Sequence, residues 1–399
     1  MGDKANRLFF IDAMRAWAIL MMLQGHFIDG LLNPIFRNPE NPIYNIWLYF
    51  RGITAPVFFT VSGFIFTYLL VRVPQRGLEN PRVKKGIRRG LQLLLIGYLL
   101  RLNLFGLLKG ELYYGFYLVD VLHCIGLSIL AIVGIYLLTV QKKHFVFPLS
   151  LILVTILLFL LEPLYKQYTF GFLPQGLANY FTKANGSVFT IFPWMGYTSI
   201  GAAIALLFVR FKNHRHLYPY AIGVAALLGC GLVFLSSDLF LKLSEVTGIE
   251  LFELIQSNNY LFIRLGDVFL AFAVFMIFKS FLTHKTILKV GSSTLTIYVI
   301  HFVVLYGSFT GLGLYKFFQH GLNPMIAIPG AVAFMVLCTY LSLQYVKYEE
   351  EIMAQLAYGT QHIKSQVVLL QKTVINILKE IGLRVRPFLM RIFKVVRND

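Results

Sequence analysis

The sequence is poor in charged residues and in cysteine. Asp, Glu, Lys and Arg make up 14% of the 399 residues, roughly half of their share in an ordinary soluble domain. The three cysteines, Cys124, Cys230 and Cys338, lie in separate apolar segments, without a C-x-x-C spacing or a cluster of metal ligands. We therefore expect no soluble fold, no disulfide framework and no metal site.

Acidic residues are half as numerous as basic ones, 18 against 36, which gives a net charge of +18. Binding to nucleic acid would require a basic face on a soluble domain. Instead, 57% of the residues are hydrophobic and the mean hydropathy is +0.70. A composition this apolar indicates an integral membrane protein, and we expect no nucleic-acid partner.

Apolar runs of the length that crosses a bilayer occur throughout the chain. The hydrocarbon core is about 30 Å thick, and a helix needs about 20 residues to span it. Polar or turn residues separate these runs. The predicted spans are 9–32, 46–71, 87–108, 115–140, 145–161, 188–209, 217–236, 260–278, 290–310 and 324–346. This pattern predicts an all-α, polytopic helical bundle with about ten transmembrane helices.

Lysine and arginine are distributed unevenly between alternate loops. With the N-terminus inside, the cytoplasmic side receives 26 of the 36 basic residues. The outer side receives only six, namely Arg37, Lys109, Lys166, Lys183, Lys242 and Lys316. Because cytoplasmic loops carry the excess of Lys and Arg, both termini are predicted to be cytoplasmic. The first run is too long for a cleaved signal peptide, so we expect a retained anchor.

The last part of the chain differs from the rest. Residues 347–399 alternate apolar and basic residues, as in VVLLQKTVINILKEIGLRVRPFLMRIFKVV. Such a segment is typical of a helix that lies on an anionic inner leaflet. We therefore predict two parts: a membrane domain over residues 1–346 and a basic amphipathic cytoplasmic tail over residues 347–399, with anionic lipids as its partner.

Ionisable residues at membrane depth are costly, so each is a functional hypothesis. The first helix has Arg15 and His26, and eleven positions return the helix to almost the same face, about 16 Å further along its axis. Asp12 is three residues before Arg15, and Asp29 is three residues after His26. Asp29 is therefore predicted to orient the imidazole of His26. A purely structural role for these residues is the alternative.

Other helices carry similar groups. Asp120 and His123 are again three residues apart, which makes His123 a second candidate base. His301 is expected near mid-depth of a late helix, and a functional and a structural role are both open for it. Arg264 and Asp267 are most simply read as a mutually neutralising pair.

A basic cluster, RVKKGIRR, occupies residues 82–89 just before the third predicted span. Lys85, Arg88 and Arg89 could hold a polyanion such as the phosphates of a nucleotide-like cofactor. The alternative is a cluster that only sets the topology.

These residues resemble the transmembrane acyltransferase superfamily. The opening FFIDAMRAWAILMMLQGH is similar to the D-x-x-R-x10-H signature of the acyltransferase-three family, and VFFTVSGF and IYVIH are similar to later blocks of that family. A closer resemblance, to bacterial relatives of heparan-alpha-glucosaminide N-acetyltransferase, rests on RVKKGIRRGLQLLLIGYLLR, VDVLHCIGLSIL and FPWMGYTSIGAA.

The resemblance implies a helical bundle that moves an acyl group, as from acetyl-CoA, to a hydroxyl or amine of an envelope sugar or glycolipid on the outer side. It implies that His26 is the essential histidine and Arg15 its paired arginine. Lys85, Arg88 and Arg89 would correspond to the basic cofactor-side cluster, although Lys85 replaces the first arginine of the R-x-x-R pattern. The expected location is a bacterial-type inner membrane, with acyl-CoA as co-substrate and no metal.

Two mechanisms and two rival functions stay open on the sequence alone. His26 could act as a general base or carry the acyl group itself. A transporter or flippase for a polar or lipid-linked solute would use the same residues as a proton relay or substrate site. The weaker rival is a sensor or scaffold, in which the ionisable groups only lock the helices together. A homodimer is compatible with the sequence, which leaves the oligomeric state open.

Overall fold

The computed structural model describes residues 7–355 and 357, and the described part of the chain consists of helices without a strand. Its only pairings of the β type are isolated bridges, Leu32 with Leu322 and Asn103 with Phe309. The helices are α1 (Phe9–Leu31), α2 (Pro42–Val71), α3 (Pro81–Arg101), α4 (Leu104–Leu108), α5 (Val121–Thr139), α6 (Val146–Leu160), α7 (Glu162–Tyr165), α8 (Gln175–Ala178), α9 (Ile191–Arg210), α10 (Leu217–Cys230), α11 (Ser236–Thr247), α12 (Glu250–Ser257), α13 (Tyr260–Ile277), α14 (Lys285–Ser292), α15 (Thr294–Tyr306), α16 (Leu314–Phe318) and α17 (Pro324–Gln355).

The predicted all-α membrane fold is confirmed. Within the described residues, six helical stretches are long and apolar enough to cross a membrane, and a seventh is added if the bent pair α14 and α15 is one span. Each of the ten predicted spans overlaps a helix, but α6 has only 15 residues, and α1 and α3 carry the charged groups described below. The number of ten spans and the cytoplasmic termini stay predictions.

The chain divides into two compact units, with the boundary between Ser342 and Leu343. The first unit holds helices α1 to α16 and the site described below. Of the predicted tail, residues 356 and 358–399 lie outside the described residues. The amphipathic tail and its lipid partner therefore stay predictions.

Two apolar clusters follow one another along α1. The first surrounds the early residues Phe10 and Met14 and includes Phe64, Phe208 and Phe272 from three other helices. The second surrounds the later part of α1 and contains its apolar residues Leu23, Phe27 and Leu31, together with Ile297 and Tyr298 of α15. The second cluster positions α15 against the half of α1 that carries His26.

Glycines allow the closest helix contacts. A Cβ atom added at Gly63 of α2 would lie 1.9 Å from the carbonyl oxygen of Thr198 in α9, and one at Gly201 of α9 would lie 1.9 Å from that of Thr60 in α2. A Cβ at Gly291 of α14 would lie 2.0 Å from the carbonyl oxygen of Asp12 in α1. Small residues let membrane helices approach backbone to backbone, and α1, α2, α9 and α14 use them in this way.

Candidate functional site

Two histidines from distant parts of the sequence meet inside the bundle. Nδ1 of His26 in α1 lies 3.1 Å from Nε2 of His301 in α15, and the ring centroids are 5.2 Å apart. His301 is completely buried, whereas His26 is only partly buried. The chain bends by 69° between α14 and α15, and α15 then runs alongside α1 and brings His301 to His26.

Aromatic rings enclose this pair. The ring of Tyr298, one turn before His301, lies 4.8 Å from the imidazole, and the ring of Tyr306 lies 6.2 Å from His26. Tyr298 is buried, while Tyr306 is partly exposed. The pair therefore sits in a mostly apolar surrounding, where electrostatic interactions are stronger than in water.

Asp29 does not contact His26 as predicted, and this expectation is corrected. Its carboxylate forms an ion pair with the guanidinium of Arg51 in α2. Arg51 reaches it across Gly25, where an added Cβ would touch the arginine side chain at 3.6 Å. A full opposite charge on the neighbouring helix stabilises a carboxylate more than a neutral imidazole does. In the structure, His301 rather than Asp29 contacts His26.

Asp120 and His123 form the second polar centre. The carboxylate of Asp120 accepts from the backbone N–H of Leu122 and lies 3.1 Å from Nδ1 of His123. Nε of Arg101, at the end of α3, donates to its other oxygen at 3.1 Å. Asp120 is thus both the N-cap of α5 and the counter-ion of Arg101. The predicted proximity of Asp120 and His123 is confirmed.

His123 is enclosed on every described side. Its ring lies 4.5 Å from that of Tyr98, and a Cβ at Gly97 would come within 2.6 Å of it. It has no exposed surface. A base must reach the proton that it removes, so the partly exposed His26 is the better placed of the two candidate bases, and His123 supports Asp120.

The two polar centres are neighbours. Asp120 pairs with Arg101 of α3 at 3.1 Å. The guanidinium of Arg101 lies 5.9 Å from the ring centre of Phe302, which follows His301 directly. The structure thus brings the candidates of α1 and α5 into one region, to which α15 contributes the additional histidine.

Arg15 lies nearer the start of α1. Its guanidinium donates to Thr294 Oγ1 at 3.0 Å and pairs with Asp12 at 3.8 Å. Arg7 binds the second oxygen of Asp12 at 2.5 Å. The predicted Asp12 and Arg15 pair is therefore confirmed, and Thr294 at the start of α15 is an additional partner.

One residue of the basic cluster of α3, Arg89, lies near Arg15. Lys85, Arg88 and Arg89 are exposed, whereas Gly86 and Gly90 form the buried face of the same helix. Arg89 interacts electrostatically with Arg15. Cations from α1 and α3 thus act on one region, at the end of α1 opposite to His26.

Arg264 and Asp267 pair at 2.8 Å, as predicted. Tyr49 of α2 also donates to Asp267 at 2.5 Å, and Arg264 lies 4.6 Å from the centre of the same tyrosine ring. Both oxygens of Asp267 thus have partners within the bundle, which agrees with a structural role.

Two residues of the site, Arg51 and Arg101, were not identified from the sequence, although the sequence contained a signal for them. Both arginines fall inside predicted helices, and a charge at membrane depth requires a partner. The partners, Asp29 and Asp120, could not be assigned without the packing of the helices. For His301, the sequence left a functional and a structural role equally open.

Comparison with known proteins defines the class. A family model described as an acyltransferase domain, of the acyltransferase-three family, matches residues 8–343, and the chain belongs to this family. No curated protein matches the sequence. The protein is therefore a multi-pass membrane acyltransferase.

Proposed function

We propose that this acyltransferase moves an acyl group, acetyl in the simplest case, from cytosolic acyl-CoA to a hydroxyl or amine of an envelope sugar or glycolipid. The reaction would take place across a bacterial inner membrane, with the acceptor on its outer side. The observation that carries this proposal is the position of two ionisable residues on α1, Arg15 near its start and the partly exposed His26 eleven residues later. The resemblance to relatives of heparan-alpha-glucosaminide N-acetyltransferase supports acetyl as the group and a sugar as the acceptor.

The length and charge of the donor match the stretch of α1 from Arg15 to His26. Phosphates at the cytosolic mouth would contact Lys85, Arg88 and Arg89, of which Arg89 lies near Arg15. Along α1, eleven residues place His26 about 16 Å beyond Arg15. An extended pantetheine arm covers a similar length, so Arg15 would guide it toward the histidine pair.

His26 is then the general base. Its imidazole takes the proton from the acceptor hydroxyl or amine while the new bond to the acyl carbon forms and the carbon–sulfur bond breaks. The imidazolium returns this proton to the leaving thiolate, so that CoA leaves as a thiol. Proton transfer of this kind accelerates a reaction by about 10² to 10⁴, and the positioning of both substrates contributes the remainder.

The test is release of free CoA thiol from acetyl-CoA by the purified protein in lipid nanodiscs, with native envelope glycans as acceptors. Wild type is compared with His26→Ala and with His214→Ala, an exposed histidine in the loop between α9 and α10. We expect acceptor-dependent release by wild type and His214→Ala. His26→Ala should lose about 10² to 10⁴ in rate while its melting temperature stays close to that of wild type.

Two results would contradict the proposal. One is the absence of CoA binding and thiol release by wild type with a broad acceptor set, which would favour a transporter. The other is full turnover by a folded His26→Ala variant, which would move the chemistry to another group.

A further inference from the structure

We infer that the sugar of the acceptor binds to an acceptor stripe, which consists of Tyr44, Trp47 and Arg51 at the beginning of α2 together with Asp29 of α1. The stripe begins one helical turn beyond His26 and leads to the end of the bundle where α1 ends and α2 begins. The inference deepens the proposed function, and it rests on that function for the role of His26 as the base.

The acceptor stripe meets α1 beside His26. Its three residues on α2 share one face of that helix, because spacings of three and four positions join successive turns. Arg51 reaches α1 across Gly25, the residue before His26, where an added Cβ would lie 3.6 Å from the Cγ of the arginine. It pairs there with Asp29, three residues after His26. The ion pair and the candidate base thus occupy adjacent turns of α1.

The ion pair is accessible to solvent. The side chain of Arg51 is 40% exposed and that of Asp29 is 28% exposed, and His26 is also partly exposed. Charged groups within the span of a membrane protein face the interior of the bundle or a water-filled cavity. The exposure of this pair therefore indicates a water-accessible surface that continues to His26.

The aromatic rings of the stripe are turned toward α1. The indole N–H of Trp47 donates to Oε1 of Gln24 in α1 at 2.7 Å, and the ring of Tyr44 lies 5.4 Å from that of Trp47 at an angle of 32°. Tyr and Trp that only anchor a helix at the membrane interface contact lipid. Here Ile43 and Ile46, which are 81% and 61% exposed, take the outward positions, and the two partly exposed rings lie on the side of the ion pair.

This combination of groups matches the chemistry of a sugar. Adjacent hydroxyls of a sugar can donate to the carboxylate of Asp29 and accept from the guanidinium of Arg51 at the same time. The apolar C–H face of the sugar ring would pack against Tyr44 and Trp47, whose rings combine an apolar body with a polar end. The ion pair has no net charge, so it favours a neutral polyhydroxyl ligand over an ion. A lipid tail would satisfy neither charged group.

The first measurement needs no turnover. In a Cys230→Ser background, in which Cys124 and Cys338 are buried, a cysteine replaces either Tyr44 or Ile46. The purified proteins in nanodiscs then react with a charged thiosulfonate that does not enter lipid. We expect fast labelling of Tyr44→Cys and much slower labelling of Ile46→Cys, since the thiolate is the reactive form and does not form in lipid.

Native envelope glycans, added before the reagent, should slow the labelling of Tyr44→Cys because they cover the stripe. Equal labelling of the two cysteines, or labelling of Tyr44→Cys that the glycans leave unchanged, would overturn the inference.

The second measurement separates acceptor binding from donor binding. Trp47→Leu removes the aromatic ring, whereas Trp47→Phe keeps one, and Ile46→Ala is the control on the outward face. We expect Trp47→Leu to raise the KM for the glycans about tenfold, as for the loss of one aromatic contact, with little change in the KM for acetyl-CoA. Asp29→Asn should act in the same direction, because it weakens a charge-assisted hydrogen bond.

Trp47→Phe and Ile46→Ala should stay within about threefold of wild type in both KM values, which corresponds to a small fraction of one contact. Variants are compared when their melting temperatures are close to that of wild type. Equal rises of the two KM values, or a loss in Trp47→Phe as large as that in Trp47→Leu, would show a merely structural role for the stripe.

The two proposals fail in distinguishable ways. Protection of Tyr44→Cys by the glycans, without thiol release by wild type, would contradict the proposed function alone. Thiol release by wild type, with a KM for the glycans that neither Trp47→Leu nor Asp29→Asn changes, would contradict the inference alone.

Discussion

At the scale of single residues, charged side chains of the helices find opposite charges on other helices. Asp29 binds Arg51, Asp120 binds Arg101, and these four residues come from α1, α2, α3 and the N-cap of α5. The pairing follows from the cost of an isolated charge in an apolar interior, which exceeds the cost of bringing two charges together. Removal of one partner should therefore lower the free energy of unfolding more when the ion pair is more deeply buried.

Arg101→Met tests this expectation. It leaves Asp120, whose side chain is 6% exposed, without its counter-ion. Removing one partner of a buried ion pair typically costs about 3 to 5 kcal/mol, and we expect a loss of that order in the free energy of unfolding in mixed detergent micelles.

The control is Lys166→Met, which breaks an ion pair to Glu162 whose lysine is 44% exposed. Exposed pairs contribute about 0 to 1 kcal/mol, so this variant should unfold much like wild type. Equal losses in the two variants would show that burial does not determine the contribution of these pairs.

At the scale of elements, backbone contacts at glycine hold pairs of helices together. α2 and α9 meet twice, at Gly63 against Thr198 and at Gly201 against Thr60. No L side chain fits at a Cβ distance of 1.9 Å from a carbonyl oxygen, so the helices must separate when either glycine is replaced. In lipid, where apolar burial does not drive helix association, such close packing is a main source of stability.

Gly63→Ala and Gly201→Ala should each lower the free energy of unfolding by about 1 to 3 kcal/mol, the usual cost of overpacking. Gly223→Ala in α10 is the matched control, because nothing lies within 4 Å of its added Cβ. This control should be neutral or slightly stabilising, since alanine favours a helix over glycine by about 1 kcal/mol. Thermal unfolding in nanodiscs compares all three, and a stable Gly63→Ala protein would contradict the described contact.

At the scale of the whole molecule, the distribution of charge predicts two sides of the membrane. The loop between α2 and α3 is predicted to lie on the basic side, and the loop after α4 on the side with few basic residues. The proposed reaction depends on this arrangement, because the donor would enter from the basic side and the acceptor from the other.

Cysteine labelling in intact cells tests this topology. The exposed native thiol is removed as Cys230→Ser, while Cys124 and Cys338 are buried. In that background we expect an impermeant maleimide to label Lys109→Cys from outside, and to label Arg76→Cys only after the membrane is permeabilised. Labelling of Arg76→Cys in intact cells would reverse the predicted orientation.

Much of the fold could be predicted because apolar runs are local. The predicted span 115–140 contains α5, and 260–278 matches α13 almost residue for residue. The bend at Ser293, near the start of the predicted span 290–310, was missed, because no proline marks it. Pairs three positions apart, such as Asp12 with Arg15, were predicted correctly since the helix itself brings them together.

Contacts between distant parts of the chain could not be predicted. His26 and His301 are 275 positions apart, and no periodicity relates them. Asp29 illustrates the same limit. Its spacing to His26 allows a contact between the two, but Asp29 pairs instead with Arg51 of another helix. Local spacing states which partners a residue can reach, whereas the competition between partners depends on packing.

The sequence by itself determined that this is a helical membrane protein, and it supplied the ionisable residues that are candidates for the site. These properties follow from composition and from the period of a helix, which are encoded within about 20 residues of chain. The tertiary structure alone decided which histidine is partly exposed, which residue contacts it and which arginine neutralises which carboxylate. These outcomes depend on helices that meet across hundreds of residues, where glycine contacts and the cost of unpaired charge select one arrangement.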